Sequence, residues 1–163
     1  MDMLQRALSC LFGALLLANS AIADETGRDR HIGYYYPEPA EVEVYKARAQ
    51  IQPDADRGRR IDFIVAIVNG MLARPYAPTY SVFVKGDEAE KIIIVSNVPG
   101  QLDTIYRARA LLATLTSVAR TTPFFRAYGV EDLFTFFDLL KLMGFKRITV
   151  TDGDAFAHQV DIE

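Results

Sequence analysis

Two histidines are the side chains of this sequence best suited to acid–base chemistry near neutral pH. His31 lies in a segment rich in charge and glycine, and His158 lies between Phe156 and Val160 on the apolar side of an expected strand. A histidine in that second setting is typical of a half-buried packing residue, and a zinc site would need further Asp or Glu ligands. We keep His158 as a candidate binding residue and predict no metal site.

The segment Asp152-Gly153-Asp154 resembles the start of a calcium-binding loop, in which alternate carboxylates face one hard cation. Such a loop continues with another oxygen ligand where this chain has Phe156, and its glycine stands elsewhere, although Glu163 does fall at the twelfth position. A hairpin turn explains the same residues, because glycine adopts positive φ and aspartate binds nearby backbone N–H groups. We therefore predict a turn here.

No motif for nucleophilic or phosphate chemistry occurs elsewhere. A catalytic serine needs a nearby base and usually a sharp turn flanked by glycine, and none of the three serines in the expected domain lies in such a turn: Ser81, Ser96 and Ser117. The chain also lacks a glycine-rich phosphate loop and a dinucleotide fingerprint. We predict no cofactor and no catalytic residue. An enzyme of unfamiliar type, using His158 with Asp152 or Asp154, stays open as an alternative.

The first 23 residues have the three parts of a secretory signal peptide, in order. Arg6 is basic, residues 7–17 are almost uninterruptedly apolar, and the small-x-small triplet Ala21-Ile22-Ala23 precedes Asp24. A membrane anchor is the competing interpretation, but the apolar run ends short of the roughly 20 residues that span a bilayer. We therefore expect cleavage after Ala23, export to the periplasm or beyond, and no membrane span in the mature protein.

The remaining residues have the composition of one globular domain. The only cysteine, Cys10, falls within the expected signal peptide, so a disulfide or a cysteine metal site is excluded from the mature chain. The full chain has 18 basic and 21 acidic residues, and its net charge of −3 offers no surplus of cations for a phosphate backbone. Nucleic acid is not an expected partner.

Hydrophobic periodicity predicts the elements that position these residues. Residues 24–40 have the composition of an extended arm, and residues 41–163 that of a single domain. Apolar residues recur at helical spacing over 61–72, 102–119 and 133–143, and two hairpin patterns cover 80–95 and 148–162. A short strand is expected at 42–47. The order predicts an α+β two-layer sandwich, with an antiparallel sheet of four to five strands packed by about three helices.

Aromatic and basic clusters near the start of the domain are the best candidates for binding. Three adjacent tyrosines cannot all point inward, and tyrosine and arginine are common in protein interfaces. Basic residues at a helix N-terminus are unfavourable with the helix dipole, although a solvated helix start is the simpler explanation. With the histidine considered above, the candidate binding residues are Tyr34, Tyr35, Tyr36, Arg57, Arg59, Arg60 and His158.

Two stretches, Ile93-Ile94-Val95-Ser96-Asn97-Val98-Pro99-Gly100 and Phe145-Lys146-Arg147-Ile148-Thr149-Val150-Thr151-Asp152-Gly153-Asp154, carry a family resemblance. The mature chain resembles small exported proteins of alphaproteobacteria, some of which are labelled molybdopterin-guanine dinucleotide biosynthesis protein A. The resemblance implies a role related to molybdenum-cofactor biosynthesis. Guanylyltransferases of that name bind GTP with a Leu-Ala-Gly-Gly loop followed by Arg-Met-Gly and Asp-Lys. This chain has no such arrangement, so no functional residue is carried over.

These observations favour a small exported protein that is not an enzyme. It would bind another envelope protein or a small ligand through the tyrosine arm and the arginine-rich region. The alternatives are the role in molybdenum-cofactor biosynthesis and the unfamiliar enzyme built on His158.

Overall fold

A computed structural model describes residues 36–39, 41–120, 123, 127, 129 and 135–163. Eight elements are described, in the order strand, helix, hairpin, two helices, hairpin: β1 (Val42–Tyr45), α1 (Arg57–Leu72), β2 (Tyr80–Lys85), β3 (Lys91–Ser96), α2 (Ile105–Ala119), α3 (Phe136–Leu142), β4 (Arg147–Thr151) and β5 (Ala157–Ile162). The expected α+β class is confirmed. None of these helices is long and apolar enough to cross a membrane.

The sheet has the strand order β1-β5-β4-β3-β2 and is mixed. The two hairpins, β2–β3 and β4–β5, are antiparallel as predicted. The prediction of a wholly antiparallel sheet is wrong, because β3 pairs with β4 and β1 pairs with β5 in parallel. The chain between β3 and β4 contains α2 and α3, and a crossover of that length returns a strand in the same direction.

Helix α1 begins at Arg57, directly after its N-cap residue Asp56. The Asp56 side chain accepts a hydrogen bond from the backbone N–H of Arg59 at 2.8 Å, which satisfies one of the N–H groups left free at a helix start. Phe63 and Ile64 are buried, whereas Val65 and Leu72 are exposed. The helix therefore buries one broad side.

All three helices contribute to one hydrophobic core with one face of the sheet. The strand residues of this core alternate along the central strands, as Ile92 and Ile94 do on β3, and are joined by α3 residues such as Leu139. The intervening residues Ile93 and Thr149 face the other way and are also buried. β3 is thus buried on both faces, as its run of apolar residues predicts.

Candidate functional site

The three tyrosines of the predicted binding arm fall at the edge of the described chain. Tyr34 and Tyr35 lie outside the described residues, and Tyr36 is half-buried. The hydrogen bond from Arg147 Nε to Asp161 Oδ1, 2.7 Å long, raises the pKa of Arg147, and the nearby phenol of Tyr36 would add to this effect only in its ionised form. Tyr36 is therefore placed beside the start of β4.

Two of the predicted binding arginines reach into the β2–β3 turn. Arg57 Nε donates to the carbonyl oxygen of Asp87 at 3.2 Å, and Arg60 Nε donates to that of Glu88 at 2.7 Å. Arg59 forms an ion pair with Asp54. The arginine cluster thus has partners within the chain, and part of it joins α1 to the neighbouring hairpin.

Arg60 is the most constrained of the cluster and is only 5% exposed. Its Nη1 donates to the carbonyl oxygens of Ala55 at 2.9 Å and Met143 at 3.2 Å. Met143 caps the C-terminus of α3, where unpaired carbonyl groups carry partial negative charge. A cation at the start of α1, unfavourable for that helix, is therefore favourable for the end of α3.

The Asp152-Gly153-Asp154 segment forms the predicted hairpin turn. Oδ1 of Asp152 accepts hydrogen bonds from the backbone N–H groups of Asp154, Ala155 and Phe156, at 2.9, 3.1 and 2.9 Å. Gly153 has a φ of +83°. Within the described chain, no group of three or more His, Cys, Asp or Glu side chains could hold a metal ion.

His158 lies on the helix-facing side of the sheet, where it is paired across strands with Val150. It is only 2% exposed, and Nε2 has no hydrogen-bond partner. Glu43 Oε2 lies 3.5 Å from Nε2, and Glu43 also forms an ion pair with Arg109. Burial lowers the pKa of His158, Arg109 lowers it further, and Glu41 opposes both. The neutral imidazole is therefore favoured.

A pocket of about 310 Å³ opens beside Glu43 and Arg109, between β1 and the helices α2 and α3. Its apolar lining includes Leu112, Phe137 and Val160. The rings of Tyr45 and Phe137 stack with their centroids 4.7 Å apart. The Glu43–Arg109 ion pair also lines the pocket, so one polar pair accompanies a largely apolar surface.

Tyr45 and Thr135, which also line the pocket, belong to a hydrogen-bond network around Asp138. The Tyr45 hydroxyl lies 2.9 Å from Thr135 Oγ1 and donates to Asp138 Oδ2 at 3.4 Å. Asp138 is fully buried and also accepts from the backbone N–H groups of Thr135 and Arg48, each at 2.8 Å. Burial raises the pKa of Asp138, but these hydrogen bonds outweigh it and hold the pKa below its ordinary value.

No protein-family model, curated protein or solved structure matches this chain. The pocket also differs from the predicted site. Of the predicted binding residues that the structure describes, only His158 adjoins it, through Glu43. The carboxylates proposed as partners of His158 in an enzyme lie in the β4–β5 turn, and Asp152 is engaged there by backbone N–H groups.

The sequence reasoning missed Glu43, Tyr45 and Arg109. The alternation of β1 does carry a signal, because it divides residues 42–45 into two sets, but it does not say which set faces inward. Here the valines Val42 and Val44 face outward, 48% and 54% exposed, because Glu43 and Tyr45 stand opposite Val160 and Ile162 on the core side. A glutamate and a tyrosine on the inner face of an edge strand thus contribute to the pocket.

Proposed function

We propose that this chain is a small exported binding protein, and that its ligand is a small apolar molecule carrying one polar group. The observation that carries the proposal is the pocket of about 310 Å³ between β1, α2 and α3. This volume is at the lower end of the range for small-molecule sites, which are typically apolar with a few placed polar groups. The lining of this pocket has that composition.

Binding is favoured over catalysis because the acid–base groups near the pocket are engaged or enclosed. Glu43 is paired with Arg109, and Asp138 accepts hydrogen bonds from Thr135, Arg48 and Tyr45. A general base must reach the proton that it removes, and His158 is sealed from solvent.

The pocket suggests how such a ligand would lie. An apolar body would pack against Leu112, Phe137 and Val160, where the removal of apolar surface from water favours binding by about 25 cal/mol per Å². A polar group on the ligand would reach the Glu43–Arg109 pair, whose side chains are 34% and 52% exposed. Such a pair offers both an acceptor and a donor.

A fluorescence titration with the neutral fluorophore N-phenylnaphthylamine tests the pocket. Ala113 lines it, so Ala113→Phe should fill it and weaken binding by at least about tenfold. Ala110 lies on the same helix, is exposed and is not part of the lining, so Ala110→Phe is the matched control. Equal binding by wild type and Ala113→Phe, with both folded by circular dichroism, would refute this site.

Export is tested separately, by producing the full chain in a Gram-negative host and fractionating the cells. The expected mature protein begins at Asp24 and is found in the periplasm or the medium. Leu15→Arg places a charge in the apolar run of the signal, so we expect it to retain the uncleaved precursor, whereas Leu15→Ile should be processed normally. An uncleaved wild-type chain in the cytosol would contradict export.

A further inference from the structure

A second concavity, of about 550 Å³, lies at the end of the sheet where β3 and β4 begin and β5 ends. Six charged residues line it: Lys91, Lys141, Lys146, Arg147, Asp161 and Glu163. Four of the six are basic, although the whole chain has a formal net charge of −3. This basic groove is therefore a local reversal of charge.

The end of α3 brings two of these lysines to one place. The N–H of Gly144 bonds to the carbonyl oxygen of Lys141 and that of Phe145 to Leu140, both at 2.9 Å, which is the Schellman arrangement of a helix C-terminus. Gly144 has a φ of +79°, a conformation that glycine adopts without strain. The reversed chain then enters β4, and Lys141 and Lys146 both line the groove.

The backbone of Lys146 is itself fixed between two neighbouring strands. Its N–H donates to the carbonyl oxygen of Glu90 at 2.8 Å, and its carbonyl oxygen accepts from the N–H of Ile162 at 2.9 Å. One wall of the groove is therefore anchored to the start of β3 and the end of β5.

The lysines of the groove are less compensated than its arginine. Arg147 forms two hydrogen bonds with Asp161, from Nε at 2.7 Å and Nη2 at 3.3 Å, so its charge is matched. Lys91 Nζ is 3.8 Å from Glu90 Oε1. Neither Lys141 nor Lys146 has an ion pair with any described residue. Backbone hydrogen bonds lower the pKa of Glu90, and the charges of Lys91 and Lys146 add to this, so Lys146 lies near a carboxylate without forming an ion pair with it. Both ammonium groups remain able to pair with an anion.

The rest of the lining is apolar. Ile51, Phe145 and Ile162 complete the lining; Phe145 and Ile162 are only 1% and 4% exposed, so Ile51, at 51%, supplies the apolar side chain that is open to a ligand. A bare inorganic anion would leave this surface uncovered, whereas an anion attached to an apolar body would bury it. Because charge and apolar surface lie side by side, both the anionic headgroup and the apolar body of such a molecule would contribute to its binding.

We propose that the basic groove is a second binding site, which takes an anionic headgroup carried on an apolar chain, with Lys141 and Lys146 paired to the headgroup. Either a free amphiphile or a lipid of an anionic membrane would present this chemistry. The proposal does not depend on the ligand proposed for the pocket beside Glu43.

The test uses isothermal titration with decanoate at low salt, and sedimentation with vesicles of phosphatidylglycerol or of phosphatidylcholine. We expect Lys141→Gln/Lys146→Gln to lose at least about tenfold in affinity for decanoate, for phosphatidylglycerol vesicles, or for both. Wild-type binding should weaken as salt is added, because salt screens exposed charges. Lys46→Gln/Arg74→Gln removes two positive charges outside the groove and should bind as wild type does.

The assay in which Lys141→Gln/Lys146→Gln loses affinity identifies the source of the ligand. Loss of decanoate binding indicates a free amphiphile, and loss of phosphatidylglycerol binding alone indicates a membrane lipid. Wild-type affinity of Lys141→Gln/Lys146→Gln in both arms would overturn the proposal, as would inorganic phosphate binding as tightly as decanoate. Retained binding of N-phenylnaphthylamine by the same variant separates a failure here from a failure of the pocket.

Discussion

Arg60 Nη1 donates a hydrogen bond to the carbonyl oxygen of Met143, at 3.2 Å, and so joins the first turn of α1 to the end of α3. The two residues are 83 positions apart in the chain. The same guanidinium binds the carbonyl oxygens of Ala55 and Glu88. One buried side chain therefore connects two helices and a hairpin.

Replacement of Arg60 by methionine should lower the free energy of unfolding by about 3 kcal/mol, because it leaves three carbonyl acceptors without a charged donor. Urea denaturation at pH 7 measures the change. Arg57→Met is the control, since it removes a single exposed hydrogen bond and should reduce stability by less than about 1 kcal/mol. A similar small loss for Arg60→Met would show that the buried guanidinium does not stabilise the fold.

Gly144→Ala should destabilise the protein for two reasons. The φ of +79° disfavours any side chain, and a Cβ would stand 2.7 Å from Arg60 Nη1. Gly100→Ala has a similar φ of +71° and no neighbour closer than 3.6 Å, so it measures the backbone strain alone, about 1 kcal/mol.

The excess loss at Gly144 over Gly100 should disappear in the Arg60→Met background, as measured by a double-mutant cycle in urea. An excess that persists there would mean that Arg60 does not confine residue 144.

Asp138→Asn should lower stability at pH 7 by about 2 kcal/mol, because the carboxylate completes the capping box of α3 with Thr135 and accepts charge-assisted hydrogen bonds. The folded pKa of Asp138 is lowered from 3.8, so its stabilising contribution is present above that value and is lost as pH falls through the folded pKa. Urea denaturation between pH 2 and 7 should therefore show a shallower acid limb for Asp138→Asn. Asp154→Asn, in the exposed turn, should keep the wild-type limb.

His158 should destabilise the fold on mild acidification. Its folded pKa is lowered from 6.5, so the unfolded chain takes up a proton more readily, and stability falls as pH drops below about 6.5. Three charged groups face the imidazole: Glu43 from β1, Glu41 from the residue before β1, and Arg109 from α2.

His158→Leu should flatten this dependence between pH 5 and 6.5, and the ring protons of wild-type His158 should titrate below 6.5 by NMR. An unchanged slope in the variant, or a midpoint above 6.5, would contradict the neutral state assigned to the imidazole. This window lies above the one expected for Asp138, so the two effects can be resolved in one pH series.

The elements of the fold could be predicted because their signals are local. Asp56 caps α1 as its type and position indicate, and Gly153 turns between β4 and β5. Pairing across the chain has no such signal, which is why the parallel neighbours β1 and β5 were missed. Alternation shows that a strand has two faces, but the partner strand decides which face is inward.

The pocket could not be predicted, for the same reason. Glu43, Arg109 and His158 belong to three elements, and Glu43 and Arg109 are 66 positions apart. The arginines that the sequence did single out are conspicuous because they lie close together in the chain. Arg60, however, donates a hydrogen bond to the carbonyl oxygen of Met143, 83 positions away at the end of α3. The adjacent arginines therefore indicate a contact between two helices, whereas the pocket is formed by residues that are far apart in the sequence.

The pairing of β1 with β5 has a consequence for the order of folding. Val42 stands beside Gln159, so β1 has no neighbouring strand among the described residues until β5 has been synthesised. Contacts of such long sequence separation form slowly, because the chain must close a large loop first. During translation the sheet would thus stay incomplete until β5 has left the ribosome.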